Sequence, residues 1–204
     1  MKKTGEKNCN VCCVTGKVAS LDKIDCPEGK DDFLLMVETI LPDGSKVCLP
    51  CGMEKSTLDS CKGKLREGDW ISLLGILNGV SNEGEMKGAW IEAIALERET
   101  KRSGKKYCNE AMLTGTSIEG GCLIDRGIPV AADFVLELES LRDGETFEAE
   151  AIVPQEAVQE YIDTLGCQKL KVLGALEFVP SEKGEEDAIS MTVYVRRIYN
   201  AEEE

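Results

Sequence analysis

The sequence predicts a mainly all-β chain folded as two tandem five-stranded barrels, each with one helix between its third and fourth strands. Three observations carry this. The turn Gly68-Asp69 leads into Trp70-Ile71-Ser72-Leu73-Leu74-Gly75-Ile76-Leu77, and a similar stretch, Gly166 to Leu176, returns roughly one hundred residues later, the mark of an internal repeat. Asp43-Gly44 and Asp143-Gly144 each separate two apolar runs, as the turn of a hairpin does. In the strand after Gly68-Asp69 apolar residues recur at every second position, the period of a strand with one buried face.

The elements follow in order. Val14-Thr15-Gly16 and Leu113-Thr114-Gly115 mark the first strand of each copy. Leu34 to Leu41 and Phe134 to Leu141 are the second strands, and Lys46 to Cys51 and Thr146 to Ala151 the third. A helical segment comes next. In the second copy Pro154 opens it, and Ala157, Val158, Tyr161, Ile162 and Leu165 recur at helical spacing. In the first copy Leu58, Cys61 and Leu65 keep the same spacing, with Gly63 a cost to the helix and Lys64 to Glu67 its end. The fourth strands are Trp70 to Asn78 and Gln168 to Phe178. The fifth are Ala89 to Glu97 and Ala188 to Arg197, preceded by loops at Gly79–Gly88 and Val179–Asp187. The expected domains are therefore residues 1–98 and 107–204, joined by a basic linker at 99–106.

Charge divides unevenly between the copies. Residues 1–106 hold 17 basic and 17 acidic side chains, while residues 107–204 hold 7 and 21, so the second half carries the whole net charge of −14. An acidic surface repels phosphate, so nucleic acid is expected on the first copy. No apolar run is long enough to cross a bilayer. Met1-Lys2-Lys3 is basic, but Thr4 to Asn10 supplies no apolar core for a signal peptide, and a cytoplasmic location is expected. The chain has ten cysteines and no histidine. That removes Ser-His-Asp and Cys-His catalysis and every mixed Cys/His metal site, and no lysine or carboxylate constellation replaces them. The expectation is a non-catalytic protein.

Five strands with a helix between the third and fourth is the strand order of the OB-fold. Val14-Thr15-Gly16-Lys17-Val18 resembles the first strand of bacterial single-stranded DNA-binding proteins. Leu65-Arg66-Glu67-Gly68-Asp69-Trp70-Ile71-Ser72-Leu73-Leu74-Gly75 resembles their helix end, Gly-Asp turn and fourth strand, and Trp90-Ile91-Glu92-Ala93-Ile94-Ala95-Leu96-Glu97 is similar to their fifth. The resemblance spans nearly the whole chain, twice. It implies single-strand binding by a barrel groove. The chain departs from the family in lacking most of the stacking aromatics of the second and third strands. It also closes on Ala201-Glu202-Glu203-Glu204 rather than an acidic tail ending in Pro-Phe.

Alternation sorts the candidate site residues. Trp70 aligns with Lys169 and Ser72 with Lys171, while Leu170 and Val172 face inward, so Trp70 is expected outward, beside Lys64 and Arg66. An outward Trp among cations suits base stacking. Trp90 aligns with Ile189 and is expected in the core. Phe33, Leu35 and Val37 lie opposite Leu34, Met36 and Ile40, so the second strand is apolar on both faces and its outer face expects a cover. The expected nucleic-acid contacts are Trp70, Phe33, Lys17, Lys64 and Arg66, with Lys23, Lys55 and Lys62 as further candidates for a phosphate track.

Two alternatives stand beside this. Cys9-x-x-Cys12 and Cys48-x-x-Cys51 have the spacing of a four-thiolate structural zinc site, although strand alternation sets Cys48 and Cys51 on opposite faces and the second copy has Glu148 and Ala151 there. The other is an assembly module whose barrel surfaces bind a second copy or another protein. The favoured expectation is binding of single-stranded nucleic acid, DNA before RNA, by the first copy and with no cofactor.

Overall fold

The computed structural model describes residues 9–25, 31–61, 63–82, 85–99, 106–141, 144–180 and 189–203. Ten strands are found among them: β1 (Asn10–Asp25), β2 (Asp31–Ile40), β3 (Lys46–Glu54), β4 (Trp70–Asn82) and β5 (Glu85–Arg98), then β6 (Cys108–Asp125), β7 (Ile128–Glu139), β8 (Thr146–Val153), β9 (Lys169–Pro180) and β10 (Ile189–Asn200). Helix α1 (Lys55–Ser60) lies between β3 and β4, and α2 (Val158–Asp163) between β8 and β9. No helix among the described residues is long and apolar enough to cross a membrane.

Both copies close. In the first, β2-β3-β5-β4-β1 are neighbours and β1 pairs again with β2; in the second, β7-β8-β10-β9-β6 repeat the order and β6 pairs with β7. The third and fifth strands run parallel in each barrel, with Cys51 opposite Ile91 and Ala151 opposite Val193. All other pairs are antiparallel. Asp43-Gly44 turns β2 into β3: Gly44 takes φ +88° and donates to the Leu41 carbonyl, while the Asp43 carboxylate accepts from the Ser45 amide at 2.8 Å. Asp143 lies outside the described residues. Val14, Leu35, Leu49, Ile71, Leu73 and Ile91 fill the first barrel, and Leu113, Phe134, Leu136, Leu170, Val172 and Val193 the second.

One glycine explains how the first strand can serve two neighbours at once. A Cβ at Gly16 would stand 2.2 Å from the Glu38 carbonyl oxygen, and one at Gly115 would stand 2.3 Å from that of Glu137. At these points the strand bends from one partner to the other, and only hydrogen fits against the crossing backbone.

The barrels share one sheet. β1 pairs antiparallel with β6, with Asn10 opposite Leu113, Cys12 opposite Ala111 and Val14 opposite Asn109. Since Asn10 and Val14 correspond to Asn109 and Leu113 in the repeat, the seam is a pseudo-twofold axis through Cys12 and Ala111. Asn10 and Asn109, both buried, pin its ends. Asn10 Nδ2 donates to the Glu139 carbonyl at 2.9 Å. Asn109 Nδ2 donates to the Leu176 carbonyl at 2.8 Å while its Oδ1 accepts from the Leu176 amide. Gly79 lies against the buried Phe147 ring of the other barrel.

Several expectations about elements change. The first helix ends at Ser60, and Cys61 and Leu65 are buried from an extended segment instead. Arg66 to Asp69 is a turn, not a helix end: the Asp69 amide donates to the Arg66 carbonyl and Gly68 takes φ +79°. In the second copy Leu165 lies past α2 and is exposed. The expected loop Gly79–Gly88 is mostly strand, since β4 and β5 extend as one hairpin with Asn82 opposite Glu85. Of the loop at Val179–Asp187, residues 179 and 180 belong to β9 and the rest, with Ala188, lies outside the described residues. So does most of the basic linker.

Candidate nucleic-acid interface

The strand register builds a row across the outer face of the first barrel. Trp70 opens β4 opposite Lys17 of β1, Lys17 is opposite Glu38 of β2, and Glu38 is opposite Cys48 of β3. The inner positions of β4, Ile71, Leu73 and Leu77, are buried, so Trp70 faces outward as alternation predicts. It is half-buried. The Lys17 ammonium stands 5.6 Å from the centroid of its ring, within cation–π range. Tyr107, from the junction before β6, packs on the indole with centroids 4.7 Å apart at a 41° tilt.

Glu38 ties the row together. Its Oε1 accepts from Lys46 Nζ at 3.1 Å and from the Tyr107 hydroxyl at 3.2 Å. The hydrogen bond from Lys46 holds this carboxyl below the usual carboxylate range, with the Lys46 charge, Tyr107 and Lys17 adding to the effect. Lys17 thus stands over the indole, and the Glu38–Lys46 pair lies beyond Tyr107.

Trp90 departs from its expected core position. Ala89, Ile91 and Ala93 point inward and are buried, and Trp90 is half-exposed on the outer face. It lies over Gly52, where a Cβ would stand 3.2 Å from the indole Cδ1. Gly52 is opposite Leu34, and Pro50 is opposite Met36, so the indole adjoins an apolar strip of half-buried side chains on β2 and β3. The alignment of Trp90 with Ile189 is three residues out of phase. Ile91 and Val193 are equivalent because each faces the buried position of its third strand, which makes Thr192 the counterpart of Trp90. The glycine at position 52 was the signal in the sequence: a bare strand position is where a large ring can lie flat.

Phe33 is half-buried. It belongs to the inward row with Leu35 and Val37 and packs against the core opposite Met53, leaving only part of its ring at the surface. Lys64 and Arg66 are exposed on the segment entering β4. That segment is fixed to β1, since the Gly68 amide donates to the Val18 carbonyl and the Val18 amide to Asp69. Asp69 also holds Arg98 at 2.7 Å. Lys23 and Lys55 are exposed, and Lys62 lies outside the described residues.

The four candidate zinc ligands do not converge. β3 is a regular strand through residues 46–54, so Cys48 is exposed in the Glu38 row while Cys51 points into the barrel. Cys12 is buried on the seam, and Cys9 precedes β1. Burial, foremost, pushes the Cys12 and Cys51 thiols far up. Among the described residues no three Cys, Asp or Glu side chains form a group able to hold a metal.

Comparison with solved structures matches this architecture at nearly full length. The wild-type single-stranded DNA-binding protein from Thermus aquaticus superposes with a TM-score of 0.67 at 16% identity, covering 96% of this chain and 94% of that one. The chain has the tandem OB-fold. A deletion variant of the same Thermus aquaticus protein gives a TM-score of 0.65 at 16% identity, covering 95% and 94%. No family model and no curated protein matches the sequence. The expected resemblance to bacterial single-stranded DNA-binding proteins therefore holds at the level of the fold.

Proposed function

We propose that this chain binds single-stranded nucleic acid, DNA before RNA, without catalysing a reaction on it. The strand crosses the outer face of the first barrel. Trp90 over Gly52 offers one stacking platform and Trp70 with Lys17 the other. The observation that carries this reading is the placement of both tryptophans outward on one barrel, with Lys17 and Lys46 between or beside them. Bases stack on exposed indoles whatever their sequence, and ammonium groups follow the phosphates. Tyr107 already covers part of Trp70, so a base stacks on the remaining face or displaces the tyrosine. The tandem OB-fold shared with a protein named for single-stranded DNA binding supports the same reading.

The second barrel plays a smaller part. Its counterpart of Trp90 is Thr192, that of Trp70 is Lys169, and its surface is acidic. The test is a titration of fluorescent oligo-dT and oligo-U at a series of salt concentrations. Affinity should fall linearly in log–log form as salt rises, dT should bind more tightly than U, and tryptophan fluorescence should be quenched on binding. Binding that ignores salt, or no binding, would remove the proposal and leave protein assembly as the use of these surfaces.

A further inference from the structure

We propose that Cys13 and Cys108 are an oxidisable dithiol that closes a reversible disulfide across the seam between the two barrels. The β1–β6 register places Cys13 opposite Glu110 and Cys108 opposite Thr15, so the two cysteines are diagonal neighbours on the outward face. Cys108 Sγ lies 3.6 Å from the Cys13 carbonyl oxygen, which sets its side chain beside Cys13. Cys13 is exposed and lines an open cavity of about 600 Å³, which gives a small oxidant access. Cys12 and Cys51 are buried and shielded from the same reagent, while Cys61, also buried, borders the cavity. Diagonal neighbours lie about 7–8 Å apart, just past relaxed disulfide reach, so closure draws the two backbones together. Cys108 is the first residue of β6, so closure shifts only the end of that ladder.

The oxidant is a hydroperoxide. The Cys13 thiolate attacks one peroxide oxygen, forming an S–O bond as the O–O bond breaks and water leaves, which yields a sulfenic acid. The Cys108 thiol, whose pKa burial foremost pushes up to about 11, gives up its proton as its sulfur attacks that sulfur. The S–S bond forms, the S–O bond breaks, and the departing hydroxide takes up a proton. Two thiols and one hydrogen peroxide give a disulfide and two waters. A dithiol reductant reverses the change by exchange. The bridge joins positions 95 residues apart in sequence, so it removes much of the freedom of the unfolded chain.

The experiment treats the full chain with hydrogen peroxide, alkylates the remaining thiols and maps the peptides. The expected result is a peptide pair bridged through Cys13 and Cys108, with a melting temperature raised by about 10 °C and restored by dithiothreitol. Cys108→Ser should stop the reaction at a dimedone-trappable sulfenic acid on Cys13, and Cys13→Ala should abolish both the bridge and the stabilisation. Recovery of Cys13 and Cys108 as separately alkylated thiols would overturn the proposal. So would a bridge from either residue to a different cysteine.

Discussion

Trp70 and Trp90 both face outward from the first barrel, by different local devices. Trp70 is outward because its strand alternates from Trp70 to Leu77, and Trp90 has room because its neighbour is glycine. Replacing either with alanine should weaken oligonucleotide binding by about 1–3 kcal/mol, the worth of one stacking platform, measured by fluorescence titration. Thermal melting should fall less than the ~3–5 kcal/mol of a fully buried aromatic, because each indole is half-exposed. A full core-sized loss with unchanged binding would assign both rings to packing alone. Glu38 works against binding by holding Lys46 and Tyr107 beside the site. Glu38→Gln should tighten oligonucleotide binding roughly two- to five-fold, the effect of one exposed charge. Its carboxyl is also a pH marker. Because the folded state lowers its pKa, the contact contributes above the unfolded value and is lost as pH falls through the folded one. An acid titration should therefore release Tyr107 from the carboxylate below the usual carboxylate range. The accompanying change in Trp70 fluorescence should vanish in Glu38→Gln.

Among the elements, the first strand of each barrel bears the sharpest constraint. Gly16 and Gly115 let β1 and β6 bend between two ladders, and added methyl groups would meet backbone carbonyls, which cannot swing away as a side chain can. Gly16→Ala and Gly115→Ala should each destabilise the chain by about 1–3 kcal/mol, read as a lower denaturation midpoint. Equal tolerance of alanine at both positions would mean that the strands can bend elsewhere. The helices are less demanding. α1 has no fully buried residue, and its place is held by half-buried Leu58, which packs on the core, and by Cys61 and Leu65 after it. α2 is docked more firmly, through buried Val158 and Tyr161, the stacked Phe134 ring at 5.1 Å, and Glu160, which accepts from the Ile198 amide and from Arg197.

For the whole molecule, the seam between the copies matters most. β1 and β6 meet about a pseudo-twofold axis, so each first strand finds opposite it the equivalent of itself. A chain of residues 1–106 alone exposes β1 as an open edge, which seeks a partner strand. It should form a homodimer that repeats the β1–β6 register with Cys12 facing Cys12, measured by sedimentation at micromolar concentration. A stable monomer would show that the first barrel closes its own edge. The dimer should keep oligonucleotide affinity because it carries two copies of the tryptophan face. The corresponding dimer of residues 107–204 should bind weakly.

The sequence by itself determined the repeat, the strand order, the Asp-Gly hairpin and the outward side of Trp70. All of these rest on local chemistry: period-two burial, turn residues that tolerate positive φ, and residue spacing along one strand. It also placed Leu170 and Val172 inside with Lys169 and Lys171 outside. Only the tertiary structure decided which strands lie side by side. That is why Trp90 was misplaced: the fifth strands pair with the third across the barrel, and unequal loops put the two copies out of phase. It is also why the four zinc candidates separated, since a Cys-x-x-Cys spacing converges in a turn but diverges along a straight strand. The seam through Cys12 and Ala111, the ring of Tyr107 on Trp70 and the meeting of Cys13 with Cys108 all join residues far apart in the chain. Such contacts depend on how two closed barrels share an edge, and local sequence carries no record of that choice.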